Sequence, residues 1–187
     1  MRWRVKAVAI AAVTAVVTVG GCAHTVGGTA HRAHPAVPDP DRSYGYVDDR
    51  CGLLEDSTIQ EMLGAKNVVR PYSGAVCQYV LERDTGPNAG AAAPSTMIDV
   101  IFSWFETGSL DRERTLAQRR GAKVTEKVVE RHPAFLASRD TNGAGCAAVA
   151  AAGSGVLSWW VQYRGKADAD ACKDAEKLLS ATLSSEL

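Results

Sequence analysis

Five cysteines, Cys22, Cys51, Cys77, Cys146 and Cys172, are the residues of this chain best suited to covalent chemistry. A thiol has three common uses: acylation, oxidation to a disulfide, or ligation of a soft metal. Zinc is poorly served, because no C-x-x-C pair occurs and the last four cysteines are spread over most of the chain. The choice between the other two uses depends on the compartment, which the segment ahead of Cys22 sets.

That segment begins with Arg2, Arg4 and Lys6 and continues through Ala7 to Val19 without a charge, ending at Gly20 and Gly21. This is the anatomy of a secretory signal. The apolar run is too short to cross the bilayer core as a helix, which takes about 20 residues. Val19-Gly20-Gly21-Cys22 resembles the bacterial lipobox, an aliphatic residue and two small residues before a cysteine. On that reading residues 1–21 are removed and the Cys22 sulfur carries a diacylglyceryl thioether. Two acyl chains suffice for stable anchoring, so Cys22 is the expected lipid attachment site and the membrane the expected partner. The expected location is the extracytoplasmic side of the cell membrane.

With Cys22 given to lipid, an even number of cysteines remains in an oxidising compartment, which favours two disulfides. The expected pairs are Cys51 with Cys77 and Cys146 with Cys172, because each closes a local loop of the same sequence separation.

Acid–base and metal chemistry have less to work with. His24, His31 and His34 fall in residues 22–45, a stretch with Gly27, Gly28, Pro35, Pro38 and Pro40 and no apolar periodicity, expected as a disordered tether. A flexible coil of that length reaches roughly 25 Å. Solvated linker histidines are the expectation, with no metal and no cofactor. Beyond the tether the one histidine is His132, before Pro133, expected in a water-exposed turn. Ser138, Ser154 and Asp140 are present, but no Gly-x-Ser-x-Gly elbow surrounds a serine, so no catalytic residue is assigned and the expectation is a protein that is not an enzyme. Gly143-Ala144-Gly145-Cys146-Ala147-Ala148 matches a loose dinucleotide fingerprint by letter, yet a strand pattern follows where a phosphate-facing helix is needed.

The elements that would position these residues are readable from periodicity. Ser57-Thr58-Ile59-Gln60 has capping-box spacing and predicts a short helix stopped by Gly64. Val76 to Glu82 reads as a strand, and a Gly- and Pro-rich run between Gly86 and Pro94 as a hairpin loop. Thr96 to Phe105 alternates most clearly, with Ile98, Val100, Phe102 and Trp104 on one face. Leu110 to Arg120 predicts a charged helix; Arg112, Arg114, Arg119 and Arg120 offer contacts to lipid phosphates or acidic glycans, but Asp111 and Glu113 interleave, so a solvated face is the expectation. Val124 to Val129, Ala134 to Ser138, Cys146 to Ala152 and Val156 to Tyr163 read as strands, and a helix from about Ala169 buries Cys172, Ala175, Leu179 and Leu183. Strands outnumber helices and are joined by short turns. The expected fold is α+β: an antiparallel sheet with about three helices against it, in one exported domain over residues 46–187.

Along Val156 to Tyr163, Trp159, Val161 and Tyr163 share one face, which places Trp160 on the other beside Ser158 and Gln162. If helices cover only one side of the sheet, Trp160 and Phe105 stand on the second side, so Trp160, Phe105, Ser158 and Gln162 form the candidate binding face. If helices cover both sides, Trp160 is core.

The chain has 21 basic and 21 acidic residues, and loss of the leader leaves 18 basic ones. That balance lacks the excess needed to neutralise phosphates along a nucleic acid, so no nucleic-acid partner is expected.

The lipobox, Arg50-Cys51-Gly52-Leu53-Leu54, Gly74-Ala75-Val76-Cys77-Gln78-Tyr79, Phe102-Ser103-Trp104-Phe105 followed by Gly108-Ser109-Leu110-Asp111-Arg112-Glu113-Arg114, and Leu157-Ser158-Trp159-Trp160-Val161 resemble the mycobacterial envelope lipoproteins of the LprB/LprC type, the LprC branch more closely. The similarity covers nearly the whole chain. It implies an actinobacterial domain-of-unknown-function lipoprotein and brings no catalytic motif with it. The expected function is a non-catalytic, lipid-anchored binding or interaction module whose partner is an envelope protein, glycan or lipid. The alternatives are a lipid carrier with an apolar cavity and a cell-wall hydrolase built around His132.

Overall fold

Burial of period two organises the molecule: Ile98, Val100 and Phe102 are inaccessible to solvent, while Asp99, Ile101 and Ser103 between them are partly exposed. The computed structural model describes residues 37–84, 95–139, 145–164 and 169–185. In chain order the elements are β1 (Tyr46–Val47), β2 (Arg50–Cys51), α1 (Asp56–Met62), β3 (Asn67–Tyr72), β4 (Val76–Asp84), β5 (Ser95–Phe105), α2 (Leu110–Arg119), β6 (Lys123–Val129), β7 (His132–Arg139), β8 (Gly145–Ala152), β9 (Gly155–Tyr163) and α3 (Ala171–Ser184). Strands β3 to β9 form one seven-stranded sheet in the order β3-β4-β5-β9-β8-β7-β6, every neighbour antiparallel. The fold is α+β, with three helices among the described residues and the two expected disulfides, Cys51–Cys77 and Cys146–Cys172, each spanning a sequence separation of 26.

The first face of the sheet carries the main core. Trp159 lies between Phe102 and Tyr79, ring centroids 5.0 and 6.3 Å away, and Leu178, Leu179 and Leu183 of α3 close over it. Three ties hold α3 down. Cys172 is bonded to Cys146 on β8, the Trp159 indole N–H donates to Thr182 Oγ1 at 2.9 Å, and the Tyr163 hydroxyl donates to the Asp174 carboxylate. Burial, reinforced by Asp174, pushes the Tyr163 phenol well above its ordinary range, so it stays protonated and keeps donating. Asp170 caps the helix by accepting from the backbone N–H groups of Cys172 and Lys173. Gly52 brings its segment onto the same core. Its φ is +60°, and a Cβ there would sit 2.7 Å from Phe102 Cε2, so both conformation and space require glycine.

The structure departs from the sequence expectations in four places. Strand β3 has no counterpart among the expected strands; it contains Pro71 and forms as an edge strand, and its register with β4 shifts between Val69 and Tyr72, where the missing N–H costs no ladder bond. Helix α1 starts one residue before the expected capping box: Glu55 is the cap, without a side-chain bond, and Gln60 donates instead to the Lys66 carbonyl. Tyr44, placed in the tether by composition, is fully buried with its ring 5.5 Å from Trp104, and Arg42 reaches the Ser185 carbonyl, so packing begins ahead of Tyr46. His132 is not a water-exposed turn residue. Glu130 and Arg131, both at positive φ, make a two-residue turn that lets Val129 pair with His132, so the imidazole is carried into the sheet and is only 2% exposed. The expected signal, Cys22, the tether histidines, the loop at residues 86–94, Asp140 and Gly143-Ala144 lie outside the described residues.

Candidate functional site

Antiparallel register fixes which side chains stand together on the second face. At one level Gln78, Ile101, Trp160, Ala147, Ala137 and Val124 lie side by side across six strands; at the next, Val76, Ser103, Ser158, Val149, Phe135 and Glu126. Phe105 pairs with Val156 beyond them. Helices α1 and α3 belong to the first face, whereas α2 packs on the second, over β6, β7 and β8. Leu110 of α2 joins Phe135, Ala137, Val149 and Val156 in a separate small core, with Ala117 at its margin. The second face is therefore half covered, and Trp160 stands at the border, neither core nor free.

A groove results where α2 meets the uncovered half. The side chains of Ala137 and Ala147 are too small to fill the space beneath the C-terminal end of the helix. That leaves a hollow of about 180 Å³ walled by Trp160, Phe135 and Leu116. It adjoins a wider hollow of about 500 Å³ lined by Ser103, Phe105, Val156, Arg112 and Arg120, and the two share Glu113, Leu116, Arg120, Val149 and Ser158. Trp160 is fixed from both sides. The Arg139 guanidinium carbon lies 5.2 Å from its ring centroid, and a Cβ on Gly145 would come within 2.6 Å of Cζ2, so glycine lets the indole lie flat against the strand.

Of the four residues expected on this face, Trp160, Ser158 and Phe105 line the groove, and Phe105 is 46% exposed. Gln162 shares the face but pairs with Asp99 and Gly145 beyond the end of the groove, where Arg164 clasps Asp99 through two bonds of 2.6 and 2.7 Å. Sequence reasoning singled out the arginines of α2 but expected a solvated helix, whereas the helix forms one wall of the groove. Its arginines divide by role: Arg114 binds Asp111 and, through two contacts of 2.7 and 3.1 Å, Glu126, whereas Arg112 and Arg120 face the wide hollow and meet no carboxylate among the described residues. The available signal was the four-residue spacing of Arg112, Leu116 and Arg120, which puts them on one side of a helix whose one buried residue, Leu110, is at its start.

Other hollows carry less chemistry. One of about 530 Å³ lies between α3 and the β6 edge, but there Glu176 pairs with Lys127, Lys177 with Asp174, and Glu130 accepts from Ser180. His132 Nδ1 is 2.8 Å from the Ala151 carbonyl oxygen, and burial holds the imidazole below its ordinary pKa. Among the described residues no group of His, Cys, Asp and Glu could hold a metal ion, and no helix is long and apolar enough to cross a membrane.

Residues 17–185 match the family model described as "Protein of unknown function (DUF3558)". No curated protein and no solved structure matches the chain.

Proposed function

The chain belongs to the DUF3558 family, and on that premise we propose that it is a non-catalytic envelope lipoprotein of the LprB/LprC type, anchored through Cys22, whose exported domain binds a ligand in the groove beneath α2. The family description brings no activity with it, so one observation carries the reading: partly exposed aromatic rings, three hydroxyls and two arginines without carboxylate partners among the described residues converge on one concave surface. A concave site with an apolar floor and a few convergent polar groups is the usual form of a ligand pocket. The commitment of His132 Nδ1 to a backbone carbonyl supports binding over hydrolysis. The leader at residues 1–21 and the tether that follows it complete the proposed organisation.

A photo-crosslinking residue at position 158, in protein expressed in its own envelope, tests this. The expected result is one dominant adduct at 158 and none at the control position 125 on the exposed β6 edge. Equal labelling at both, or none at 158, refutes the groove as the binding site.

A further inference from the structure

We infer that the groove takes a single-chain amphiphile with a phosphate head group, the head in the wide hollow between Arg112 and Arg120 and the tail against Trp160 in the narrow one. This deepens the binding-module reading and rests on it.

The charge on the groove selects the head. Arg112 and Arg120 line the wide hollow against a single acid, Glu113, and Arg139 lies on the narrow one, so the excess is one positive charge at the head and two over the groove as a whole. Arg112 and Arg120 are eight residues apart, about 12 Å along a helix axis, and both line the wide hollow, so an anion there is approached from two sides. A phosphate monoester carries about −1.5 to −2 at neutral pH and offers several acceptor oxygens, which matches two guanidinium forks. A carboxylate brings one charge and two acceptor oxygens to the two forks, and a neutral sugar brings no charge. Ser103 and Ser158 at the floor add hydroxyl donors.

Shape and polarity select the tail. The narrow hollow has Phe135, Ala137, Ala147 and Trp160 on its wall together with Glu113, Arg120, Arg139 and Ser158, so its wall is mixed, and its approximate volume of 180 Å³ is about six times the volume of a liquid water molecule, room for a short run of methylenes but not for a folded peptide or a sugar chain. Arg120 stands where the hollows meet, so a head bound there delivers its chain directly onto the indole face.

The test is a titration of the purified protein with dodecyl phosphate below its micelle threshold, followed by the Trp160 indole N–H resonance. Parallel arms use dodecyl maltoside and inorganic phosphate. The expected result is saturable one-to-one binding of dodecyl phosphate, at least tenfold tighter than either control. The doubly substituted Arg112→Gln/Arg120→Gln protein, with its melting temperature checked against the parent, is expected to lose at least tenfold in affinity. Glu113→Gln is expected to bind more tightly. Equal binding of the maltoside, equal binding of inorganic phosphate, unchanged affinity in the double variant, or no saturable shift overturns the inference. If the adduct at position 158 persists while dodecyl phosphate fails to bind, the choice of ligand is wrong and the groove still binds; if the adduct is absent too, both readings fall.

Discussion

Replacing Trp160 by alanine separates a border residue from a core residue by magnitude. A large aromatic side chain buries 150–250 Å² when fully enclosed, and Trp160 keeps part of its ring open to the groove, so roughly 100 Å² of contact is lost, about 2.5 kcal/mol at 25 cal/mol/Å². The Arg139 contact over the ring adds about 0.5 kcal/mol for a partly exposed pair. No closed cavity forms, since the space opens into the groove, and the cavity penalty that makes core truncations expensive is absent. The expected loss is about 3 kcal/mol, roughly a 6–12 °C fall in melting temperature for a domain of this size, with an unchanged denaturant m-value. Trp159→Ala is the internal standard. Trp159 is inaccessible to solvent, packs on Phe102 and leaves Thr182 unpaired when removed, so it should cost distinctly more, about 5 kcal/mol. Urea unfolding of both variants and a double-mutant cycle between Trp160 and Arg139 check the partition. A loss for Trp160→Ala equal to that of Trp159→Ala, or below about 1 kcal/mol, contradicts the border placement, as does a cycle with zero coupling.

Four further outcomes follow from the same contacts. Thr182→Val keeps the shape of the side chain but strands the Trp159 indole N–H, and should cost about 1–3 kcal/mol by chemical denaturation. The lowered pKa of His132 means that the unfolded chain binds a proton the folded one refuses, so its contribution is complete above about pH 6.5 and is lost as pH falls below that value. A His132→Asn variant should therefore lose part of the acid sensitivity seen in melts between pH 7 and 5, and an unaltered profile would exclude this source. Non-reducing peptide maps should join Cys51 to Cys77 and Cys146 to Cys172, and breaking either bond by a double Cys→Ala change should cost about 3.5 kcal/mol on the chain-entropy estimate. Cys22→Ala should leave an unprocessed precursor of full-length mass that no longer partitions into detergent; cleavage after Gly21 in that variant would refute lipidation.

Sequence alone determined what is local. Alternation from Thr96 to Phe105 needs only the pleat of one strand, and the buried pattern follows it residue by residue. Equal cysteine spacing suffices to propose pairs because closing a short loop costs less than closing a long one, and both bonds form as the spacing suggests. The helical stripe of α3 is equally explicit, with Ala175, Leu179 and Leu183 on its buried side. Tertiary structure decided everything that depends on which surface an element meets. Pro71 is acceptable in β3 only because that strand ends the sheet, and His132 is buried only because the tight turn at Glu130 and Arg131 extends the β6–β7 pairing past the expected boundary. The site follows the same rule. Strand alternation puts Trp160 opposite Trp159, but periodicity says only that a helix buries a stripe, not which face of the sheet receives it. Helix α2 settles on the second face and ends over Ala137 and Ala147, and the groove exists because small side chains from two neighbouring strands meet beneath one helix.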